Sequence, residues 1–330
     1  MKRKSFAILA AIFMFFVMSR AANAGIPLLN IEGEGGGGIV PWAYLINAPK
    51  DGAIGKPSLG AWTWISNGYT INFWTLGWSP MDRLELGFAW QNLDITTLRD
   101  DLKGDSQIAL GAGTALNTGE DNLQMITAHA KFLVLKESAS LPAIAVSVEY
   151  KQALSIDELD ENLTRGARSV LGATKPKVLT WMGVDDDKGF DINLMATKLW
   201  NPGIPVLTAV NLRYTQANQL GFLGFSDNWS LQPEVTLAIL PEANVAVGIE
   251  YRRKPDELKS LNDYLKANGG AASGYRALDD YTFKENDFVD FFVAYLPTPK
   301  LSITAAVANI GNVVHKETNA IWAFNIKYDF

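Results

Sequence analysis

Residues 319–330 read N-A-I-W-A-F-N-I-K-Y-D-F. Every second residue, Trp322, Phe324, Ile326, Tyr328 and Phe330, falls on one face, and Ile321, Ala323, Asn325, Lys327 and Asp329 fall on the other. Side chains alternate across a β-strand, so the segment has one apolar, aromatic-ended face and one largely polar face. In a water-soluble sandwich the apolar face would meet a second sheet. In a membrane barrel it would meet lipid, with aromatics at headgroup level and the polar face toward the lumen. The segment alone leaves both open, so the rest of the chain has to choose.

The opening residues predict export. Lys2, Arg3 and Lys4 precede a wholly apolar run from Phe6 to Val17, and Ala22-Asn23-Ala24 is a small-x-small site for cleavage before Gly25. The run is too short to span a bilayer. The chain has no Cys, which excludes a lipoprotein attachment site, a disulfide framework, thiolate zinc and a Cys nucleophile. Of 29 basic and 35 acidic residues the leader holds four basic (Lys2, Arg3, Lys4, Arg20) and no acidic ones, leaving 25 against 35, net −10. That balance argues against a nucleic-acid partner, which needs a basic face. No run of 18 or more apolar residues follows the leader. With 10 Trp and 28 Gly in short alternating segments, the composition fits a membrane barrel better than a soluble periplasmic protein.

A terminal Phe preceded by alternate aromatics resembles the last strand of bacterial outer-membrane barrels, and this implies Phe330 and Tyr328 as a signal for the barrel-assembly machinery. Alternation then predicts strands at 58–66, 69–79, 83–93, 122–136, 142–153, 189–200, 205–215, 228–240, 244–253, 287–297, 300–310 and 318–330. Residues 39–46 and 106–116 are further strand candidates. Short joins at 80–82, 137–141, 201–204, 241–243 and 298–299 interleave with long ones at 94–121, 154–188, 216–227, 254–286 and 311–317. This is the short periplasmic turn and long extracellular loop of an outer-membrane barrel. Asn67-Gly68, an ideal hairpin turn, is the short exception on the outer side. The expectation is an all-β, antiparallel, up-and-down transmembrane barrel of about twelve strands.

Three parts divide the chain: leader 1–24, a Gly-rich arm 25–57, and the barrel 58–330. The arm's Gly33-Glu34-Gly35-Gly36-Gly37-Gly38 lacks the Gly-Lys-Ser/Thr ending of a phosphate loop. It reads either as a flexible leader or as a partial plug folded into the lumen. Strand alternation sends Glu85, His129, Lys131, Glu149, Lys151, Asp191, Arg213, Glu234, Glu250, Arg252 and Asp290 inward. A lumen with both signs of charge is either a salt-bridged filling or a polar conduit, and pairing costs less there than isolated charge. In 154–175, Ile156, Leu159 and Leu163 recur at helical spacing, as do Leu258, Leu261 and Leu265 in 256–267. Solvated extracellular decoration is the expectation for both, with closure over the outer mouth as the alternative.

An enzymatic reading needs a Ser-His pair on the lipid-facing wall, as in outer-membrane lipid hydrolases. His315 falls in a loop, and alternation places His129 in the lumen, where a hydrogen bond to Glu149 is its structural role. Moving His129 outward would need a one-residue slip that turns every lysine of its strand inside out. Asp185-Asp186-Asp187 could offer oxygen ligands to a divalent cation, but an acidic loop run is ordinarily solvated. No cofactor, metal or catalytic residue is expected.

Several stretches together resemble a bacterial outer-membrane family known only as a domain of unknown function, number three thousand and thirty-four. They are Gly33 to Ala43, Asp82 to Gln91, Ser169 to Ala173, Thr215 to Phe225, Leu231 to Val235, Val245 to Leu258 and Leu301 to Asn312. They keep their order over nearly the whole exported chain. The resemblance implies export and a barrel in the outer membrane, and supplies no activity or ligand. The combined expectation is a monomer among outer-membrane lipid and lipopolysaccharide, acting as a narrow pore or uptake route for a small solute. The alternatives are a closed structural or surface-interaction barrel and, remotely, a lipid hydrolase.

Overall fold

The computed structural model describes residues 27–49, 53–100, 121–171, 177, 179, 183–254, 286–313 and 320–330. The leader, the candidate strand 106–116, the second candidate loop helix and His315 lie outside these residues. Twelve antiparallel strands follow one another round a closed barrel: β3 (Pro57–Ile65), β4 (Thr70–Met81), β5 (Leu84–Asp94), β6 (Asn122–Leu135), β7 (Ala143–Ala153), β8 (Lys188–Trp200), β9 (Val206–Ala217), β10 (Phe225–Glu242), β11 (Val245–Arg252), β12 (Phe288–Thr298), β13 (Leu301–Asn309) and β14 (Ile321–Asp329). The last strand returns to the first, with Asn325 opposite Trp62 and Asp329 opposite Ser58. Closure leaves no sheet edge, which lipid requires because it cannot satisfy exposed backbone groups. Residues 39–46 make no strand. In that stretch the backbone forms one isolated bridge, Gly36 to Pro41.

Each strand keeps one face for lipid. Along β14, Trp322, Phe324, Ile326 and Tyr328 are exposed while Ile321, Ala323, Asn325, Lys327 and Asp329 are buried. The same alternation runs through Phe132, Val148, Ile192, Leu212, Ile249 and Phe291, all exposed on neighbouring strands. Aromatic pairs mark strand ends: Tyr214 stacks on Trp229 with ring centroids 4.7 Å apart, and Tyr328 meets Phe330 edge-on at 5.2 Å. An apolar band bounded by aromatics is what a bilayer selects, and it places the barrel in the outer membrane. Short periplasmic turns and long extracellular loops set its orientation.

Inside, loop residues fill the mouth and the arm fills the barrel below it. Toward the extracellular end, Phe73, Leu93, Leu123, Met125 and Phe288 of the wall join one buried apolar cluster with Phe222, Leu223, Leu179 and Val184 from the loops. A helix, Ile156–Leu171, adds Ile156 and Leu159 to that cluster. Residues expected as solvated decoration therefore have their apolar face packed on the mouth, because inward wall residues there leave an unfilled apolar surface. Asp160 beneath them accepts the Leu179 N–H at 2.9 Å and the Thr164 hydroxyl at 3.3 Å. Below the mouth, residues 27–49 occupy a lumen of mixed chemistry: Leu28, Ile31, Ile39, Val40 and Trp42 of the arm belong to the same apolar cluster, and charged wall residues such as Lys151, Arg213 and Arg252 are buried beside it. This arm begins with a small hairpin of β1 (Leu28–Leu29) and β2 (Gly35–Gly36).

Candidate functional site: the arm in the charged lumen

Glycines on both partners allow the arm to lie against the wall. A Cβ on Gly33, at the hairpin tip with φ +86°, would sit 2.7 Å from the Phe88 carbonyl oxygen of β5. From the wall side, a Cβ on Gly77 would meet Ile46 at 2.8 Å and Leu29 at 2.9 Å, and one on Gly60 would reach Leu29 at 3.2 Å. Gly77 and Gly87 are direct cross-strand partners. Three adjacent strands thus present backbone where the arm's side chains enter.

Polar wall groups then take up the arm's backbone, which would otherwise be buried unpaired. Glu85 accepts the N–H groups of Gly35 at 2.9 Å and Ile46 at 2.5 Å. Glu250 accepts those of Gly38 at 2.6 Å and Ile39 at 2.8 Å, together with the Thr236 hydroxyl at 2.7 Å. Lys131 donates to the carbonyls of Gly35 and Trp42 and pairs with Glu85 at 2.9 Å. Thr197 accepts the Ala43 N–H at 2.8 Å, Trp62 donates to Leu29 O at 2.8 Å, and Lys327 donates to Pro27 O at 3.1 Å. At the periplasmic rim the Tyr44 hydroxyl donates to Glu137, which also pairs with Lys198 at 3.0 Å and accepts the Leu199 N–H. Burial raises the pKa of Glu137, but the hydrogen bonds from Tyr44, Lys198 and Leu199 outweigh it and hold the carboxyl below its ordinary range.

The centre of the site is Glu32, at the tip of the hairpin. One carboxylate oxygen meets Lys151 Nζ at 2.6 Å and Arg252 at 3.2 Å, and the other meets Arg213 at 2.7 Å. Those cations are also paired within the wall. Arg213 reaches Glu234 at 2.6 Å, Asp191 at 2.8 Å and Glu149 at 3.0 Å; Lys151 reaches Asp191 at 2.6 Å; Arg252 reaches Glu234 at 3.2 Å. Oxygens of Glu32, Glu149 and Asp191 come within 4.8 Å of one another, a spacing that could suit a metal ion. Lys151 and Arg213 already hold those oxygens, so a divalent cation would face two fixed positive charges, and the cluster is an ion-pair network.

All eleven residues expected in the lumen are buried on the inward face. Glu85, Lys131, Glu149, Lys151, Asp191, Arg213, Glu234 and Glu250 are 0% exposed, so no water-filled bore wets them in this conformation. Glu250 and Asp290 stand directly opposite each other on β11 and β12. One expectation fails. His129 is the cross-strand partner of Glu149, yet its Nε2 lies 3.2 Å from Glu85. Gly87, with no side chain, leaves the space the imidazole fills, and Glu149 is engaged by Arg213 and Asn193. His129 is thus inward, away from the lipid-facing wall where a Ser-His hydrolase would need it. Tyr328 and Phe330 are outward, with Lys300 6.0 Å above the Tyr328 ring.

The alternation that located the wall residues gave no hint of Glu32, Trp42 or Tyr44. The available signal was the pair of inward glycines Gly60 and Gly77, which vacates the lumen where Leu29 and Ile46 of the Gly-rich arm enter. A second glutamate, Glu34, is equally buried, and neither carboxylate oxygen has a hydrogen-bond partner among the described residues.

Among solved structures, the chain is similar to the KdgM porin at 7% identity, covering 83% of this chain and 99% of that one with a TM-score of 0.44. The COG4313 outer membrane channel from Pseudomonas putida F1 gives 10% identity, 86% and 99% coverage and a TM-score of 0.42. LpxR from Salmonella typhimurium gives 11%, 83% and 100%, and 0.41. Curated protein sequences give no match. A family model described as "Protein of unknown function (DUF3034)" matches residues 25–327, nearly the whole chain, and the protein is a member of that outer-membrane barrel family.

Proposed function

We propose that this protein is a gated outer-membrane route for a small polar solute, shut by its own arm and opened when residues 27–49 leave the lumen. The observation that carries the reading is the lining beneath the arm. A permanently closed barrel fills more cheaply with apolar residues, since burying paired charge is rarely better than neutral in stability. Here Glu85, Lys131, Lys151, Asp191, Arg213, Glu234, Glu250, Arg252 and Asp290 face one space, which becomes a polar conduit once vacated. The arm is held by apolar packing of Leu28, Ile31, Ile39, Val40 and Trp42 together with backbone hydrogen bonds and one ion-pair cluster, and the polar contacts are ones that water and ions can replace. The protein acts as a channel and not as an enzyme; Tyr328 and Phe330 serve its insertion by the assembly machinery, among lipid and lipopolysaccharide.

A second reading, a closed scaffold working through its loops, is favoured by the apolar mouth around Phe73, Met125 and Phe222. Planar-bilayer recording separates the two. The gated reading expects little current from the full chain and a sustained conductance from a chain lacking residues 25–57. If both are silent although folded, the scaffold reading replaces it.

A further inference from the structure

The three cations around Glu32 define more than an anchor. Lys151, Arg213 and Arg252 are matched within the wall by three carboxylates, Glu149, Asp191 and Glu234, at 2.6–3.3 Å. In formal charge these three cations and three carboxylates balance without the arm, so each cation keeps a wall partner when the arm departs. Each nonetheless aims a further N–H at one point, where Glu32 now sits: Lys151 Nζ and Arg252 at one oxygen, Arg213 at the other. Convergent charged donors in a dry setting recognise a planar two-oxygen anion, and a guanidinium edge suits a carboxylate. The fourth carboxylate is thus a guest, delivered on the tip of a hairpin that enters from the periplasmic side.

We propose that the Lys151–Arg213–Arg252 point of the inner wall is a carboxylate-binding site, that Glu32 is its built-in occupant, and that the solute admitted on arm release is a carboxylate-bearing anion. The solute class rests on the gated reading; the binding site does not. Competition follows directly: a free carboxylate replaces Glu32 at the wall and so favours the open arrangement, because it binds that state and has no place in the closed one.

The test is chemical replacement in the full chain. Glu32→Ala removes the guest carboxylate and leaves room for acetate. Its unfolding midpoint in detergent should fall below that of the parent, then rise by about 2–4 °C, the scale of one regained contact in a chain this long, when sodium acetate replaces sodium chloride at equal ionic strength. Acetamide should not substitute for acetate, and the midpoints of the parent and Glu32→Gln, where acetate must first displace the occupant, should respond much less. Equal responses to acetate and chloride, or a response that persists in Glu32→Ala/Arg213→Met, would overturn the site. Should Glu32→Ala fail to fold, the parent in a planar bilayer decides: acetate in place of chloride raises the opening frequency, and an unchanged frequency overturns the proposal. Replacement by acetate in a barrel that never conducts would keep the site and sink the gate. Conductance indifferent to acetate would do the reverse.

Discussion

The lumen is closed twice, by apolar packing at the mouth and by apolar packing joined to charged contacts at the arm. At the mouth, wall residues such as Phe73, Met125 and Phe288 pack with Phe222 and the helix residues Ile156 and Leu159, so closure there is a hydrophobic core. Below it, the arm shares that core through Leu28, Ile31, Ile39, Val40 and Trp42 and is seated besides by carboxylates, lysines and backbone N–H groups, with Glu32 among three cations. Apolar burial is non-directional and insensitive to ions, whereas charged contacts are geometric and exchangeable with solute. A barrel that needed only to stay shut would use the first kind throughout. The charged contacts added at the arm are the ones the proposed gate would exchange with solute.

The largest expected effect is at the ion-pair cluster. Arg213→Met takes one cation from Glu32, Glu149, Asp191 and Glu234 together, leaving four carboxylates to Lys151 and Arg252, and breaking a buried pair from one side costs about 3–5 kcal/mol. Guanidinium-induced unfolding of the detergent-solubilised barrel should show a marked loss of midpoint and, if partially folded chains insert, leaky bilayers. A variant as stable as the parent would mean that the arm is not held there.

Next in size is the mouth. Leu159→Ala should cost about 2–4 kcal/mol, as large-to-small core changes do, but locally. It should raise protease cleavage in the loop that carries the helix while leaving the salt dependence of the arm unchanged. If cleavage and arm release changed together, the two levels would be one cooperative unit and the contrast would dissolve.

Glu34 offers a change of the opposite sign. Two residues from triply paired Glu32, its buried carboxyl has no hydrogen-bond partner among the described residues, and an amide in its place is less costly to bury than a carboxylate. Glu34→Gln should raise stability by about 1 kcal/mol and reduce spontaneous opening. Lowered stability would show that Glu34 is engaged, by His129 or by something bound in the lumen.

The smallest effect is at the rim. Glu137 has a folded pKa below its unfolded value of about 4.3, so its stabilisation is complete above that pH and fades as pH falls through the folded value. Tyr44→Phe removes a main cause of the depression. It should cost under about 1 kcal/mol near neutrality, because the carboxyl is partly screened by solvent, and should flatten the acid limb of the stability profile. An unchanged acid limb would remove Glu137 from the arm's fastening.

Most of the architecture was legible because a barrel strand carries its instructions locally. Alternation in 245–252 or 321–329 assigns each side chain to lipid or lumen, and a terminus such as Thr70 or Val206 follows from a neighbouring turn. The wall half of the site was legible for the same reason. The arm half was not, since Glu32 reaches Arg213 across 181 positions and its conformation depends on what the wall leaves vacant. His129 shows the limit even within the wall. Pairing register places it opposite Glu149, but the empty volume at Gly87 decides which carboxylate it meets. The helix at Ile156–Leu171 was visible as a period, and its burial depended on an apolar mouth assembled from strands far apart in sequence.

One measurement addresses the central claim that residues 27–49 close the lumen and must move. The chain has no cysteine, so a single engineered disulfide can be read without interference. Ala43 on the arm donates its N–H to Thr197 on β8 at 2.8 Å, which brings the two positions close enough for Ala43→Cys/Thr197→Cys to cross-link. Planar-bilayer current would be recorded on the oxidised protein and again after reduction in the same membrane. The account predicts silence while the bond holds and discrete openings once it is reduced. Openings of equal size and frequency through the cross-linked barrel would contradict it.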